Sequence, residues 1–511
     1  MENKSVLTTK EIVVLLLSVF IVGFCTIIYE LLIGSVSSYF LGDSIKQFSL
    51  VIGLTMTAMG IGTLISRIIN KDLIYYFIFI EILLAIIGGL SVPALYYAYL
   101  AEPVYYPSMI LIILAIGCLI GLEIPLLTRI MEKYYDLKNN ISNVLSLDYL
   151  GAFIATIIFP FVLVPFLGIF ESSVFAGFLN LIVAIINFFW FKDKIFRKKA
   201  AKLTFLMTVI ALFLAGFFIC SDSIVKNWEN NIYDDRVILS KQTPYQRLVM
   251  TKNKEDIRLF IDGNVQFSSV DEYRYHELLI HIPMALAKHR ENILILGGGD
   301  GLAARELLKY NDVKSITVVD LDKEMTDLAK SNKYFLMLNQ NSFNNEKVKI
   351  FNEDAFKFLE NAQNLYDVII VDLPDPNNSS LARLYSREFY KILKKKLSAG
   401  GIMVTQSTSP FFSPEAFWCI QKSLKAADFK NAIPYHIYVP SFGDWGFMLA
   451  TDNKVTISEI DIKIPAKFID NDVAQNAFKL EKDVQRENIE PSTLDRPKIL
   501  DYYLQGWRYW N

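Results

Sequence analysis

Five aspartates follow short apolar runs in the second half of the chain, and they are Asp300, Asp320, Asp354, Asp372 and Asp375. The runs before them are typical of strands buried on both faces of a sheet. If these strands are parallel, their carboxyl ends meet at one edge, where such sheets bind ligands. Carboxylates gathered there would hold a cationic ligand, and one of them could take a proton from an attacking amine.

The turn that carries Asp300 spans 297–301 and reads Gly-Gly-Gly-Asp-Gly. It follows the apolar run 293–296 and precedes a segment with helical character at 302–310. A strand, a Gly-rich turn and a helix indicate a nucleotide-type site, because glycine lets the backbone come close to a ligand. Asp320 lies about 20 residues further on, where Rossmann-like folds have a ribose-binding carboxylate.

The elements that would position these acids alternate between strand and helix. Strands are expected at 293–296, 315–319, 347–351, 367–371 and 401–405. This order predicts an α/β Rossmann-like domain with a parallel, doubly wound sheet, and it resembles the S-adenosylmethionine-methyltransferase type. Ahead of it, 236–267 alternates apolar and polar residues between turn signals, which predicts a small β-hairpin unit. A helix is expected at 271–287.

The first 221 residues contain most of the apolar excess of a chain that is 53% hydrophobic. Seven apolar runs are long enough to cross a lipid bilayer, at about 11–34, 46–66, 73–98, 107–130, 148–169, 172–191 and 203–220. The fifth run contains two prolines, so we expect it to be kinked or re-entrant. The predicted organisation is a transmembrane domain at 1–221, a small β unit with its connecting helix at 222–287, and a Rossmann-like catalytic domain at 288–511.

Lys and Arg are concentrated in alternate loops of the apolar half, at 67–71, 129–138 and 192–202. The positive-inside rule places these loops and the N-terminus in the cytoplasm. Seven crossings would then put the catalytic domain outside, and the charge pattern disfavours a re-entrant fifth run.

Four acids lie in or near the apolar runs, and they are Glu30, Glu81, Glu123 and Asp148. Ionisable groups inside a membrane are functional candidates, and positions near helix ends are the alternative for Glu30 and Asp148. Pro125, two residues after Glu123, is expected to free backbone carbonyls, so that this segment could hold a cation.

Composition argues against several other functions. The net charge is −2 and the sequence has no basic stripe, so no nucleic-acid partner is expected. The four cysteines show neither metal-ligand nor disulfide spacing, so no metal site is expected.

Several motifs resemble those of the spermidine synthase (polyamine aminopropyltransferase) family. They run in order along the second half of the chain and comprise 243–246, 261–266, 271–272, 275–277 with His281, 297–301, 320–322, 354–355 and 372–376. The apolar half and the segment 439–447 resemble the membrane-embedded bacterial branch of that family.

The resemblance implies a reaction. A putrescine nitrogen attacks the propyl carbon next to the sulfonium of decarboxylated S-adenosylmethionine, and spermidine and 5′-methylthioadenosine leave. Decarboxylated S-adenosylmethionine is then a co-substrate, and the sulfonium supplies the leaving group without a cofactor or metal. The family often forms homodimers.

The resemblance also implies a role for each site residue. Asp372 is the proton acceptor and Asp375 binds the diamine. Gln246, Asp320, Asp354 and Ala355 contact the nucleoside; His276 and Asp300 contact the amine end; Gln266 and Tyr275 line the entrance. Asp322 is expected to be a helix N-cap rather than a ligand.

Three departures from the family pattern leave alternatives open. Asp320 replaces a Glu, 377–380 replaces a Gly-Pro pair, and Phe442 replaces a tyrosine near the amine. The alternatives are an aminopropyltransferase for a different amine, a methyltransferase, and a polyamine transporter or sensor. The cytoplasmic supply of the co-substrate favours a cytoplasmic catalytic domain in the cell membrane, against the charge pattern.

Overall fold

The computed structural model describes residues 8–42, 44–132 and 134–508, and the chain divides into two compact units between Asp234 and Asp235. The division lies 13 residues after the boundary expected at 221. The reason is the helix over Ser221–Ile232, which packs into the first unit: its Trp228 is buried and donates through Nε1 to the backbone oxygen of Tyr96 at 2.5 Å.

The first unit is helical. Its helices are α1 (Thr9–Leu41), α2 (Ser44–Ile65), α3 (Leu73–Gly89), α4 (Ser91–Tyr99), α5 (Glu102–Met131), α6 (Leu137–Ile158), α7 (Val164–Phe191), α8 (Arg197–Ile219) and α9 (Ser221–Ile232). Within the described residues, six helical segments are long and apolar enough to cross a membrane. One of them, Leu137–Lys194, has 58 residues and contains both α6 and α7.

The helical path is broken inside α7. Gly168 has φ 83° and ψ 175°, which no helix accommodates. Before this break, α6 runs parallel to α1, and after it α7 runs antiparallel to α1. Contacts in chain order show these directions: Thr9 with Tyr134 and Phe20 with Gly151 on the α6 side, Ser18 with Asn187 and Tyr29 with Asn180 on the α7 side. The chain therefore reverses between α6 and α7, as two separate crossings would require.

Pro125 does not break α5, contrary to expectation, but it does free one backbone carbonyl from the helix, as expected. A proline removes the hydrogen bond to the carbonyl four residues earlier, which here belongs to Gly121. That carbonyl accepts a hydrogen bond from Thr63 Oγ1 at 3.0 Å, so α5 continues to Met131. Glu123 is fully buried beside it.

The second unit begins with a four-stranded antiparallel sheet in the order β1-β2-β3-β4. The strands are β1 (Arg236–Gln242), β2 (Arg247–Asn253), β3 (Asp256–Ile261) and β4 (Asn264–Ser268). The turns expected near 243 and 262 join β1 to β2 and β3 to β4. Pairing between β2 and β3 turns the two hairpins into one sheet.

The rest of the second unit is an α/β domain around a seven-stranded sheet in the order β10-β11-β9-β8-β5-β6-β7. Its elements are α10 (Glu272–Leu286), β5 (Asn292–Gly297), α11 (Leu302–Leu307), β6 (Ser315–Val319), α12 (Lys323–Ser331), α13 (Lys333–Leu338), β7 (Val348–Phe351), α14 (Ala355–Asn361), β8 (Tyr366–Asp372), α15 (Ser379–Ala382), α16 (Arg387–Lys394), β9 (Leu397–Gln406), α17 (Pro414–Ala426), β10 (Asn431–Val439), β11 (Gly443–Thr451), α18 (Asn471–Asn476) and α19 (Lys498–Arg508).

Strands β5 to β9 are parallel and lie where the apolar runs predicted them. The side chains of 293–296 in β5 are completely buried, as a run without polar residues requires. The antiparallel strands β10 and β11 extend the sheet past β9 and were not predicted. Helix α11 ends at Leu307, three residues before the expected end.

Candidate active site

The candidate site lies where the order of the parallel strands reverses. Strand β5 pairs with β6 on one side and with β8 on the other, so the connections after β5 and β8 diverge. Ligands of doubly wound sheets bind in the crevice at such a point. Asp300 follows β5 in the Gly-rich turn, and Asp372 ends β8 opposite Gly297.

Glycines of the turn let these acids approach each other. Gly297 has φ 84°, and a Cβ there would lie 2.0 Å from the backbone oxygen of Asp372. Gly298 N donates to the same oxygen at 3.1 Å. A Cβ on Gly299 would lie 2.4 Å from Oδ2 of Asp320. Side chains at 297 or 299 would therefore displace Asp372 or Asp320.

Asp372 is held by a tyrosine. The hydroxyl of Tyr275, which is buried on α10, donates to Asp372 Oδ1 at 2.6 Å. Oδ2 accepts no hydrogen bond from the described part of the chain. Burial raises the pKa of Asp372, whereas the charge of His276 and the hydrogen bond from Tyr275 lower it. Asp372 therefore presents one unoccupied oxygen to a ligand.

Asp375 is held by residues from two distant segments. Its Oδ1 accepts from Gln406 Nε2 at 3.2 Å, and its Oδ2 accepts from Thr408 Oγ1 at 3.3 Å. The hydroxyl of Tyr503 on α19 also lowers the pKa of Asp375. Burial outweighs these three contributions and raises the pKa of Asp375 to about 6. None of the three residues was predicted from the sequence.

Asp320 and Gln246 are linked through Asp322. Asp320 Oδ1 accepts from Asp322 N at 2.9 Å, and Asp322 Oδ2 accepts from Gln246 Nε2 at 2.9 Å and from Thr243 Oγ1 at 2.8 Å. Asp322 is also the N-cap of α12, which confirms that prediction. Burial and the charges of Asp322 and Asp300 raise the pKa of Asp320 to about 7, against hydrogen bonds from the Asp322 and Gly299 backbones.

His276 lies beside Asp300 and Asp372 and is held in its charged form. Its Nδ1 is 2.8 Å from Oε2 of Glu272. Arg305 donates two hydrogen bonds to Glu272, from Nη1 to Oε1 at 2.8 Å and from Nη2 to Oε2 at 3.0 Å. Burial opposes the charge of His276, but Glu272 outweighs it and raises the pKa of His276 to about 9. No role for Glu272 in the site was predicted from the sequence.

Asp300 is the acid that faces both His276 and the other carboxylates. Its Oδ1 accepts from Leu302 N at 2.9 Å, at the start of α11. Burial raises the pKa of Asp300 to about 6; the charge of His276 lowers it, and that of Asp372 raises it. Asp300, Asp320, Asp372 and Asp375 thus form a partly neutralised carboxylate cluster, hereafter the acid cluster.

Two predicted groups lie away from the acid cluster. Asp354 caps α14 by accepting from the backbone of 356 and 357, and its Oδ2 is paired with Arg383. Its neighbour Ala355 is buried. Gln266 is half-buried on β4 and donates to the backbone oxygen of Asn264 at 3.3 Å, and it makes no hydrogen bond to the acid cluster within the described residues.

Fold and site together define the class of the second unit. It is a Rossmann-like domain with a Gly-rich turn beside a cluster of buried carboxylates at the switch point, an arrangement suited to a cationic ligand. Phe442 lies at this site, with its ring centroid 6.2 Å from that of Tyr275 in an edge-to-face arrangement.

Comparison with known proteins gives a consistent result. A family model described as Spermine/spermidine synthase domain matches residues 272–461. The polyamine aminopropyltransferase of Leptospira interrogans is 39% identical over 496 residues, 96% of this chain and 98% of that protein. That of Oceanobacillus iheyensis is 39% identical over 494 residues, 95% of this chain and 96% of that protein. A crystal structure of spermidine synthase with the transition-state analogue AdoDATO covers 49% of this chain and 87% of its own, with 26% identity and a TM-score of 0.46.

The chain belongs to the polyamine aminopropyltransferase family. Because the matches to these relatives cover both units, the family membership includes the helical unit and not the α/β domain alone.

Proposed function

We propose that this enzyme transfers the aminopropyl group of decarboxylated S-adenosylmethionine to putrescine, giving spermidine and 5′-methylthioadenosine. The observation that carries the proposal is the acid cluster at the switch point, with His276 held protonated beside it. The new bond joins the amine nitrogen to the propyl carbon, and the carbon–sulfur bond breaks with its electron pair going to sulfur.

The charges of the site suit these substrates. Four carboxylates and one imidazolium leave three net negative charges when the acids are ionised. The sulfonium and ammonium of the co-substrate supply two positive charges, and singly protonated putrescine supplies the third. Charge balance therefore favours the diamine with one neutral nitrogen, which is the form that can attack.

Asp372 is the proposed proton acceptor. The neutral nitrogen becomes positively charged as it bonds to the propyl carbon, and a base within hydrogen-bond reach takes the proton that it then loses. Oδ2 of Asp372 is free while Oδ1 is held by Tyr275 at 2.6 Å. Asp375 and Asp300 would hold the far ammonium of the diamine and that of the co-substrate.

The nucleoside would lie along β5 to β7. Asp320 would bind the ribose hydroxyls, with Gln246 fixed next to it through Asp322. Asp354 and Ala355 would flank the adenine. Because Asp354 is paired with Arg383, that arginine would have to move or share the carboxylate.

Release of methylthioadenosine tests the transfer. Purified full-length enzyme would be incubated in detergent with decarboxylated S-adenosylmethionine and a panel of diamines and longer amines. Putrescine should give the fastest release, and Asp372→Asn should lower kcat about 10²- to 10⁴-fold, the usual contribution of a general base. Asp495→Asn, at a 95% exposed side chain, is the matched control.

Faster release with another amine would keep the chemistry and contradict the choice of putrescine. No release with any amine would contradict the transfer itself.

We further propose that the helical unit is embedded in the cell membrane with seven crossings. The six long apolar segments support this, and the reversal at Gly168 divides one of them into two. We place the catalytic unit on the cytoplasmic side, where its co-substrate is supplied, although seven crossings combined with the basic loops argue for the opposite side.

Cys220 is a built-in reporter for this placement, because it is exposed and follows the last crossing. A membrane-impermeant maleimide should label it in lysed cells but not in intact cells. Labelling in intact cells that is lost in Cys220→Ser would place the catalytic unit outside.

A further inference from the structure

Two glutamates face each other inside the helical unit. Glu81 on α3 and Glu123 on α5 both have an exposed fraction of 0%, and their side chains are within hydrogen-bonding reach of each other. Each lies eight residues from the nearer end of its helix, about 12 Å at the rise of an α-helix. Neither residue is used by the proposed transfer reaction.

The protein supplies donors to one of these carboxyls only. Asn180 on α7 donates from Nδ2 to Glu81 Oε2 at 2.9 Å, and its own Oδ1 accepts from the hydroxyl of Tyr29 at 2.6 Å. Both oxygens of Glu123 and the second oxygen of Glu81 have no other hydrogen-bond donor among the described residues. Within the described part of the chain, Glu123 is thus a completely buried carboxyl whose sole hydrogen-bonding neighbour is another carboxyl.

Among the residues that the structure describes, no cation compensates the pair. The titratable groups that face it from packed helices are Cys25 and Tyr29 on α1 and Asp148 on α6, and none of them is cationic. In the described part of the first unit, lysine side chains pair with Glu11 and Asp72 instead. Arg129 on α5 donates to the backbone oxygens of Ser66 and Ile69.

A bound proton would remove the energetic cost of burying two carboxylates side by side. Two unpaired carboxylates in an apolar interior cannot both be ionised, because each would lack solvation and would repel the other. A proton on one of them removes a charge and supplies the missing donor. Since Asn180 already donates to Glu81, Glu123 is the member that needs to become a donor.

We propose that Glu81 and Glu123 form a proton-binding site in which Glu123 carries the proton and donates it to Glu81. Asp148 on α6 is half-buried and its charge acts on Glu123, so it would be the next acid between the pair and the surface of the unit. Buried acids of this kind mark proton pathways in membrane proteins. The helical unit then handles protons in addition to anchoring the enzyme.

Infrared difference spectroscopy on the full-length protein in detergent tests the site. Glu123→Gln should remove one protonated-carboxyl C=O band that is present in the wild type. Glu81→Gln should leave that band but shift its frequency, because the acceptor changes from a carboxyl to an amide. Glu132→Gln, an exposed position at the end of α5, should change nothing.

An unchanged spectrum in Glu123→Gln would mean that Glu123 is ionised and would overturn the proposal. A band that stays at its frequency in Glu81→Gln would overturn the pairing.

Wild-type protein alone gives a second test if a variant fails to fold. Dicyclohexylcarbodiimide reacts with a carboxylic acid in apolar surroundings: the carboxyl oxygen bonds to the carbodiimide carbon and the acid proton moves to nitrogen. Mapping by mass spectrometry should find the adduct at Glu123. Folded wild-type protein without an adduct at Glu123 would overturn the assignment.

Discussion

At the scale of single residues, the chemistry depends on how Asp372 is held. Oδ1 is fixed by Tyr275 at 2.6 Å, and Oδ2 accepts no hydrogen bond from the described residues. This division gives the base one orientation and keeps a lone pair available to an amine. A carboxylate without the tyrosine could rotate and would present its lone pairs less often in the productive direction.

Tyr275→Phe should lower kcat because it removes the hydrogen bond that orients Asp372. A hydrogen bond to a charged group contributes about 1.5 to 3 kcal/mol, so we expect a reduction of about 10- to 100-fold. Steady-state release of methylthioadenosine measures it. Tyr438→Phe, at a 59% exposed tyrosine, is the control. Equal kcat values for Tyr275→Phe and wild type would show that the tyrosine does not orient the base.

Glu272 determines the charge of His276. With its pKa raised to about 9 from an ordinary value of 6.5, His276 binds its proton more tightly in the folded state. Its stabilising contribution is complete below about pH 6.5 and is lost as pH rises through about 9. The pKa of Glu272 itself is lowered to about 2, since His276 and Arg305 outweigh the effect of burial.

Glu272→Gln should therefore destabilise the second unit by about 3 kcal/mol, as breaking a buried ion pair does. It should also flatten the loss of stability that wild type shows between about pH 6.5 and about pH 9. Thermal unfolding across this range measures both effects, with Glu291→Gln at a 49% exposed side chain as control. An unchanged pH profile would contradict a charged His276 held by Glu272.

At the scale of elements, the sequence predicts what depends on local pattern. The parallel strands could be predicted because each is a short run of apolar residues. The site acids could be predicted because each follows such a run. Strand β10 was missed because Pro434 interrupts its pattern. The proline is tolerated since β10 is the edge strand and has one neighbour only.

The partners of the acids could not be predicted, for a different reason. Gln406 and Tyr503 reach Asp375 from 31 and more than 100 residues away, and only the packing of β9 and α19 brings them there. Glu272 precedes His276 by one helical turn, which is a readable spacing, but its significance depends on Arg305 from α11. The spacing alone is equally typical of an exposed helix face.

Gly299→Ala tests whether the close approach of the Gly-rich turn to Asp320 is needed for binding the co-substrate. The new Cβ would lie 2.4 Å from Asp320 Oδ2, so either the turn or the carboxylate must shift. We expect KM for decarboxylated S-adenosylmethionine to rise by about tenfold or more, equivalent to about 1.4 kcal/mol, with a smaller change in KM for the amine. Gly216→Ala, where a Cβ meets open space, is the control. An unchanged KM would show that the nucleoside does not depend on Asp320.

Tyr503→Phe tests the contribution of α19. Loss of its hydroxyl removes an interaction with Asp375 and should raise KM for the diamine several-fold, which corresponds to a binding free energy of about 1 kcal/mol. KM for decarboxylated S-adenosylmethionine should not change. Tyr502→Phe in the same helix, at a half-buried tyrosine, is the matched control. Equal effects on both substrates would indicate a general disturbance of the fold instead of a diamine contact.

At the scale of the whole molecule, the charge of the acid cluster depends on whether cationic substrates are bound. The free acid cluster is partly protonated near neutral pH, since burial raises the pKa of Asp300 and Asp375 to about 6 and that of Asp320 to about 7. These raised values favour folding below about pH 4, and that contribution is lost as pH rises through 6 to 7. Bound cationic substrates shift the acid cluster toward its ionised form, because their positive charges stabilise the carboxylates.

Substrate binding should therefore release protons at low pH. At about pH 6.5 the free cluster holds protons that the bound sulfonium and ammonium groups displace, whereas at about pH 8.5 the acids are already ionised. Calorimetric titration of the full-length enzyme with decarboxylated S-adenosylmethionine, in two buffers of different ionisation enthalpy, measures the number released. We expect a large difference between the heats in the two buffers at the lower pH and a smaller one at the higher pH, where His276, with its pKa of about 9, still titrates. Asp320→Asn should reduce the release, because the group with the highest of these pKa values is removed. Equal heats at about pH 6.5 would mean that the substrate's charges are not held by these carboxylates.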